Sequence, residues 1–175
     1  PPLRQGNSDE DRRLSPFKPP QTAELAAPSH GERDGFLAGP TSETVHRRLI
    51  GDLACLNRLE VPPAVGRPAS LAWPLRVAAW NLERCFYPED SADLLSAHAP
   101  QVVLLSEVDN GMARTGQRHL TREIAESLGL AYAYGVEFLE LGLGNRAEQE
   151  LSRESANDKG FHGNALLSAA TLQAP

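Results

Sequence analysis

Two short apolar segments, each followed by a polar residue, most constrain what this chain can fold into. They read LRVAAWN at residues 75–81 and QVVLLSE at residues 101–107. Each pattern predicts a buried strand that carries one polar side chain at its end. Polar groups at strand ends commonly face a site, so Asn81 and Glu107 are the first candidate functional residues. Both offer oxygen atoms, which suit a hard divalent cation.

Length and composition predict one soluble globular domain. The chain has 175 residues, of which 41% are hydrophobic and 23% are charged. No apolar run approaches the roughly 18 residues that a transmembrane helix needs. The first residues, PPLR, lack the pattern of a signal peptide, which leaves the compartment open and favours the cytoplasm. They also lack an initiating methionine, so we expect a processed product or a fragment. Whether the chain has a protein partner is left open.

The negative charge is concentrated in the second part of the chain. Nine acidic and nine basic residues precede Leu75, whereas fourteen acidic and eight basic residues follow from there, so the whole net charge of −6 lies in the second part. Such a domain would need a bound cation to handle a phosphate group. Its charge also argues against a broad surface for duplex nucleic acid, which would be basic.

The chain divides into three predicted parts. Residues 1–40 contain seven prolines with scattered charge and are predicted to be disordered or loosely attached. Residues 41–74 are predicted to form one helix, ended by Pro62 and Pro63, and a linker. Residues 75–175 form the main domain. Four apolar residues share one face of the predicted helix: Val45, Leu49, Leu53 and Leu56.

Strands and helices alternate in the main domain. This order predicts an α/β or layered α+β fold. The predicted strands lie at about 76–80, 101–106, 131–141 and 164–169, the helices at about 92–97 and 118–128, and a long loop at 142–159.

The candidate metal ligands also have plainer interpretations. Asn81 alone is compatible with a turn at the end of a strand. Glu107 is costly to bury unpaired, so it lies at the surface or holds a cation. An extended backbone would point Glu107 and Asp109 to the same side. Asn81 and Glu107 occupy the same relative place on successive predicted strands. The interpretation of each as a site residue is therefore strengthened by the other.

Three further residues are candidates for substrate binding. Arg114 follows the acidic pair in a loop bounded by glycines, where it binds a phosphate oxygen or pairs with Glu107 or Asp109 to hold the loop. His162 and Asn164 precede or begin the last predicted strand. The plainer interpretation of His162 is a turn with a surface histidine.

Three segments together resemble the endonuclease/exonuclease/phosphatase superfamily, which includes deoxyribonucleases, abasic-site endonucleases, inositol polyphosphate phosphatases and neutral sphingomyelinases. They read VAAWN at 77–81, LLSEVD at 104–109 and GNALLS at 163–168. The resemblance covers about the last hundred residues. It implies a four-layer αββα sandwich of the deoxyribonuclease-like type and phosphoester hydrolysis that depends on Mg²⁺ or Mn²⁺. It also implies that Glu107 is a metal ligand, with Asn81 beside it contacting the metal or its water. Arg114 and His162 do not match invariant positions of the family.

The resemblance implies only the N-terminal half of that sandwich. Members of the superfamily continue with a further catalytic His, an Asp-x-Asn block and a terminal Asp-His pair, and this sequence contains neither of the last two motifs. Those groups include the base for the attacking water and donors that stabilise the transition state. We therefore expect a domain truncated at its C-terminus, inactive alone, with an open sheet edge and an uncovered sheet face.

Three hypotheses follow for function. The first is a magnesium-dependent hydrolase of phosphodiester or phosphomonoester bonds when complete, acting on a nucleic acid, a nucleotide or a phospholipid headgroup. The second is a non-catalytic truncated module that binds a partner through its exposed sheet or its first helix. The third is a small phosphate-binding domain of another kind. The sequence counts against it, because it contains no glycine-rich phosphate loop before a helix.

Overall fold

The structure is a computed structural model that describes residues 19–63 and 70–172. Its elements in chain order are β1 (Gln21–Thr22), α1 (His30–Ala38), α2 (Glu43–Asp52), a 3₁₀ turn (Ala54–Leu56), β2 (Leu59–Glu60), β3 (Val77–Arg84), α3 (Pro88–His98), β4 (Val102–Asn110), a 3₁₀ turn (Ala113–Thr115), α4 (Leu120–Leu128), β5 (Ala131–Leu139), α5 (Arg146–Leu151) and β6 (Phe161–Ser168).

The six strands form one open mixed sheet in the order β1-β2-β5-β6-β4-β3. Strands β3 and β4 are parallel, as are β1 and β2, and the remaining neighbours are antiparallel. Helix α3 provides the crossover between β3 and β4, which parallel neighbours require. This mixture of sheet and helices confirms the predicted α+β class.

One face of the sheet carries the hydrophobic core. Because side chains alternate along a strand, Val103 and Leu105 of β4 lie on the same face as Leu167 of β6, and all three are buried. Helices α3 and α4 pack against each other and contribute buried residues to the same cluster. We call this the covered face.

The opposite face, which we call the open face, is only partly covered by the described residues. It includes Val77 and Leu104, whose exposed fractions are 54% and 46%, and the half-buried Leu166. The prediction that residues 75–81 form a buried strand is therefore wrong. Strand β3 lies at the edge of the sheet, and alternate residues along it are exposed because only one of its faces packs on the core.

The prediction that residues 1–40 are loosely attached is wrong for the part that the structure describes. Strand β1 pairs with β2, and Leu25 is buried in the core, so this segment and the end of the predicted helix both contribute to the main sheet or its core. Strands of two residues carry no detectable period in a sequence, which explains the error. Residues 1–18, 64–69 and 173–175 of the three predicted parts lie outside the described residues.

Two further boundaries differ from those predicted. Helix α2 ends at Asp52, because Leu53 takes an extended conformation and the 3₁₀ turn follows. The predicted loop 142–159 contains α5, whose N-terminus is closed by a capping box between Asn145 and Glu148. The other elements lie close to their predicted positions. None of the helices in the described ranges is long and apolar enough to cross a membrane.

Candidate functional site

Asn81 and Glu107 lie side by side in the C-terminal halves of the parallel strands β3 and β4, and each strand continues three residues beyond that side chain. Asn81 of β3 is in register with Ser106 of β4, the residue before Glu107. The Nδ2 atom of Asn81 donates a hydrogen bond to Oε1 of Glu107 at 2.7 Å. The Glu107 side chain is 35% exposed, so solvent and ligands reach its carboxylate. The structure thus brings together the two residues that the sequence singled out.

Irregular backbone sets the direction of these side chains. The pairing shifts between Leu105 and Val108 of β4, where Glu107 has a φ of +57°. It also shifts between Asn81 and Arg84 of β3, where Arg84 has a φ of +76°. Left-handed conformations in residues other than glycine cost about 1–3 kcal/mol and concentrate at functional sites, and bulges re-aim side chains there. The predicted extended backbone from Glu107 to Asp109 is therefore wrong.

Arg84, which the sequence analysis missed, joins Glu107 to the segment after β5. Its Nη1 donates to Oε2 of Glu107 at 3.0 Å, and its Nε donates to Oε1 of Glu148 at 3.0 Å. A strand-end arginine three residues after Asn81 was the one available signal. Its partner Glu148 lies 64 residues away in the sequence, so no local pattern predicts the pair.

Asp109 and Arg114 form a buried ion pair with two hydrogen bonds. Arg114 donates from Nε to Oδ2 of Asp109 at 2.7 Å and from Nη2 to Oδ1 at 2.9 Å. Its remaining Nη1 donates to Glu140 at 2.8 Å and lies 3.2 Å from Glu148. The Arg114 side chain is 1% exposed. Of the two roles weighed for Arg114, this geometry favours holding the loop, because its donors are already used by carboxylates.

His162 is also buried, and it contacts the same carboxylate. Its Nδ1 lies 2.8 Å from Oδ1 of Asp109, and its ring packs on Phe138 with centroids 4.7 Å apart. The interpretation as a surface histidine in a turn is wrong, because His162 lies within β6 opposite Asp109. Among the described residues, no hydrogen-bond partner contacts its Nε2. With the proton assigned to Nδ1, Nε2 is a hydrogen-bond acceptor.

Asn164 is exposed and stands apart from this buried group. Its Nδ2 donates to Oε2 of Glu137 at 3.2 Å, and no hydrogen bond joins it to the other candidates within the described part of the chain. It lies on β6 next to the bulge of β4 that carries Glu107. Its side chain is accessible to a substrate at that position.

These contacts form one ion-pair network, which we define by its six charged members: Glu107, Arg84, Glu148, Arg114, Asp109 and Glu140. Four carboxylates face two guanidiniums, so two negative charges are not balanced within it. Burial acts to raise the pKa of Glu148, but a hydrogen bond from the backbone of Asn145 and the two arginines outweigh it and hold that pKa below its ordinary value. An unbalanced negative charge of this kind attracts a cation.

The residues suit a hydrated magnesium ion better than a metal ion that is coordinated only by protein side chains. Oxygens of a carboxylate accept more than one bond each, so Glu107 retains free lone pairs beside Asn81 and Arg84. Magnesium takes one or two carboxylates and keeps several waters. No group of three or more His, Cys, Asp or Glu side chains among residues 19–63 and 70–172 is arranged to hold a metal ion. A single-carboxylate site on Glu107, with the amide of Asn81, is compatible with both observations.

Comparisons with family models, with curated proteins and with solved structures find no match for this chain.

Proposed function

We propose that this domain is the metal-holding part of a hydrolase of phosphodiester or phosphomonoester bonds, of the endonuclease/exonuclease/phosphatase type. One observation carries the proposal. The amide of Asn81 and the carboxylate of Glu107 meet at 2.7 Å on two neighbouring parallel strands, at an accessible position. Glu107 is the metal ligand that the sequence resemblance implies, and Asn81 is its neighbour.

The chemistry is divided between the ion and the chain. A bound Mg²⁺ or Mn²⁺ neutralises phosphate charge and stabilises the leaving oxygen. Glu107 supplies the charged ligand, and Asn81 orients its carboxylate through the hydrogen bond to Oε1. Arg84 holds the second carboxylate oxygen and fixes its position against Glu148. Asn164 is the accessible polar group that we propose for substrate contact.

Two of the proposed substrate-binding residues take indirect roles. Arg114 and His162 are both buried on Asp109, so we propose that they stiffen the end of β4 behind Glu107. The sequence contains no Asp-x-Asn block and no Asp-His pair. We therefore expect little hydrolysis by these 175 residues alone, because the water-activating base of the superfamily belongs to those blocks.

The four-layer αββα sandwich also stays a proposal. The sheet is covered by α3 and α4 on one side and leaves apolar residues of the open face exposed on the other. A second sheet packed on the open face would bury them, as face-to-face sheets do at about 10 Å separation.

The metal site can be tested on the chain as it stands. Binding of Mn²⁺, followed by its electron paramagnetic resonance signal, is expected to be saturable and to be lost in Glu107→Gln. Glu83→Gln is the matched control, because Glu83 is an exposed acid on the neighbouring strand β3. Binding that Glu107→Gln leaves intact would contradict the proposal.

A second candidate function, a module that binds a protein partner, is favoured by the exposed Val77 and Leu104 on the open face. If the open face docks onto a protein partner, the double variant Val77→Lys with Leu104→Lys will no longer associate with that partner. The association is measured by sedimentation velocity. Leu37→Lys changes an exposed leucine on α1, away from the open face, and serves as the control. Retention of Mn²⁺ binding in the double variant would separate this function from the first.

A further inference from the structure

A cleft lined by three arginines lies next to the candidate site. Its volume is about 390 Å³, and its polar lining is dominated by charged side chains. The charged residues around it are Arg114, Arg118, Arg153 and Glu154. Arg114 and Arg118 are each paired with carboxylates, so the guanidinium left to attract an anion is mainly that of Arg153.

The three arginines differ in how much of their donor capacity remains. Arg114 is used by carboxylates of the ion-pair network. Arg118 contacts Glu89 and Glu123 through Nε and Nη2, which leaves Nη1 without a partner in the described part of the chain. Arg153 is exposed and makes no hydrogen bond or ion pair with the described residues. Arg153 therefore has a complete fork of donors for an oxyanion.

The cleft adjoins the candidate metal site through the segment after β3. Cys85 and Phe86 line the arginine cleft, and they also line a second cleft whose wall includes Asn81. Thr115, which follows Arg114 in the 3₁₀ turn, adds a hydroxyl to the arginine cleft. A ligand bound in the cleft beside Asn81 would thus have the arginine-lined cleft next to it.

We propose that the arginine cleft binds a phosphate group of the substrate other than the one hydrolysed, so that the substrate carries two phosphate groups. The position of the hydrolysed group in this inference rests on the proposed function. The binding of phosphate in the arginine cleft is independent of the proposed function. Arg153 and Arg118 supply the donors, and Glu154 sets an opposing charge at the rim.

The cleft is tested with inorganic phosphate alone, by isothermal titration calorimetry at low salt without a divalent ion. We expect saturable binding that weakens roughly fivefold in Arg153→Ala, since a hydrogen bond to a charged group contributes about 1 kcal/mol or more. Glu154→Gln is expected to tighten binding, because it removes a repelling charge. Arg48→Ala removes an exposed arginine on α2 and should change nothing. Equal affinity in the wild type and Arg153→Ala, or equal losses in Arg153→Ala and Arg48→Ala, would overturn the proposal.

The link to the substrate is tested with methylenebisphosphonate, which holds two phosphonate groups on a bond that is not hydrolysed. With Mg²⁺ present, we expect tighter binding than for inorganic phosphate, and we expect both Glu107→Gln and Arg153→Ala to remove the gain. If only Arg153→Ala removes it, the cleft binds phosphate and the proposed metal site fails. If only Glu107→Gln removes it, the metal site stands and the cleft proposal fails.

Discussion

Among the described residues, Arg114 and Asp109 form the most deeply buried ion pair, with side-chain exposed fractions of 1% and 0%. Two hydrogen bonds of 2.7 and 2.9 Å join them. The pair joins the end of β4 to the 3₁₀ turn that follows it. Through Asp109 it also contacts His162 on β6. Asp109, two residues after Glu107, is thereby held by two partners on different parts of the chain.

Replacing Arg114 by methionine should destabilise the fold strongly. Removal of one partner leaves the Asp109 carboxylate buried without its countercharge, which costs about 3–5 kcal/mol. The free energy of unfolding is measured by urea denaturation. Arg146→Met is the control, because Arg146 is 94% exposed in its pair with Glu150. Similar losses in the two variants would show that the buried pair has no special role.

A methyl group at Gly163 should disrupt the pairing of β5 with β6. A Cβ at this position would lie 2.2 Å from the carbonyl oxygen of Gly135 and 3.0 Å from the ring of Tyr134. We expect Gly163→Ala to lower the free energy of unfolding by about 1–3 kcal/mol, the usual cost of overpacking. Gly142→Ala, where nothing lies within 4 Å, is the control. Unchanged stability of Gly163→Ala would contradict the close approach of the strands.

Glu60 should make stability depend on pH in the acid range. Burial acts to raise its pKa, but hydrogen bonds from His119, Tyr132 and the backbone outweigh burial and lower the pKa from 4.5 to about 2. A lowered carboxyl pKa stabilises the fold above the unfolded pKa, and this contribution is lost as the pH falls from about 4.5 towards 2. The difference corresponds to about 3 kcal/mol.

The measurement is urea denaturation of the wild type and Glu60→Gln at several pH values between 2 and 6. The variant should be less stable at pH 6, and its stability should fall less steeply on acidification. Glu43→Gln, at an exposed acid on α2, should keep the wild-type slope. Parallel curves for the wild type and Glu60→Gln would mean that Glu60 does not titrate differently on folding.

Both cysteines should be unreactive in the folded chain. Cys85 is buried, and burial raises the pKa of its thiol to about 12; the pKa of Cys55 is raised for the same reason. Because the thiolate is the reactive form, we expect slow reaction with a disulfide reagent at pH 8 and rapid reaction of two thiols in urea. A fast native phase of one thiol, assigned by Cys85→Ser, would contradict this placement.

Local patterns predicted the elements whose residues pack on the core. The Val102–Leu105 run indicated β4, and the predicted helix at about 118–128 corresponds to α4, which ends where Gly129 takes a φ of +65°. The closeness of Asn81 and Glu107 was also predictable, because the C-terminal ends of neighbouring parallel strands meet at one edge. Strand β3 was predicted as buried because its composition does not reveal that it lies at the edge of the sheet.

The rest of the site depends on contacts between distant residues. Arg84 and Glu148 are 64 residues apart, and Arg114 and Glu140 are 26 apart. In a sequence, charged residues that form such pairs cannot be distinguished from charged residues that are exposed to solvent. The left-handed backbone at Glu107 likewise has no local signal, since glutamate has no preference for that conformation.

By itself, the sequence determined the α+β class and two strands of the sheet, with the oxygen-bearing side chains of Asn81 and Glu107 on them. These follow from the period of apolar residues and from residue chemistry, which act over a few neighbouring positions. Only the tertiary structure decided that residues 21–60 complete the sheet and that Arg114 and His162 are buried on Asp109. It also decided that Arg84 links Glu107 to Glu148. Pairing of that kind is selected by the cost of burying charge, and this cost exists only once the chain has folded.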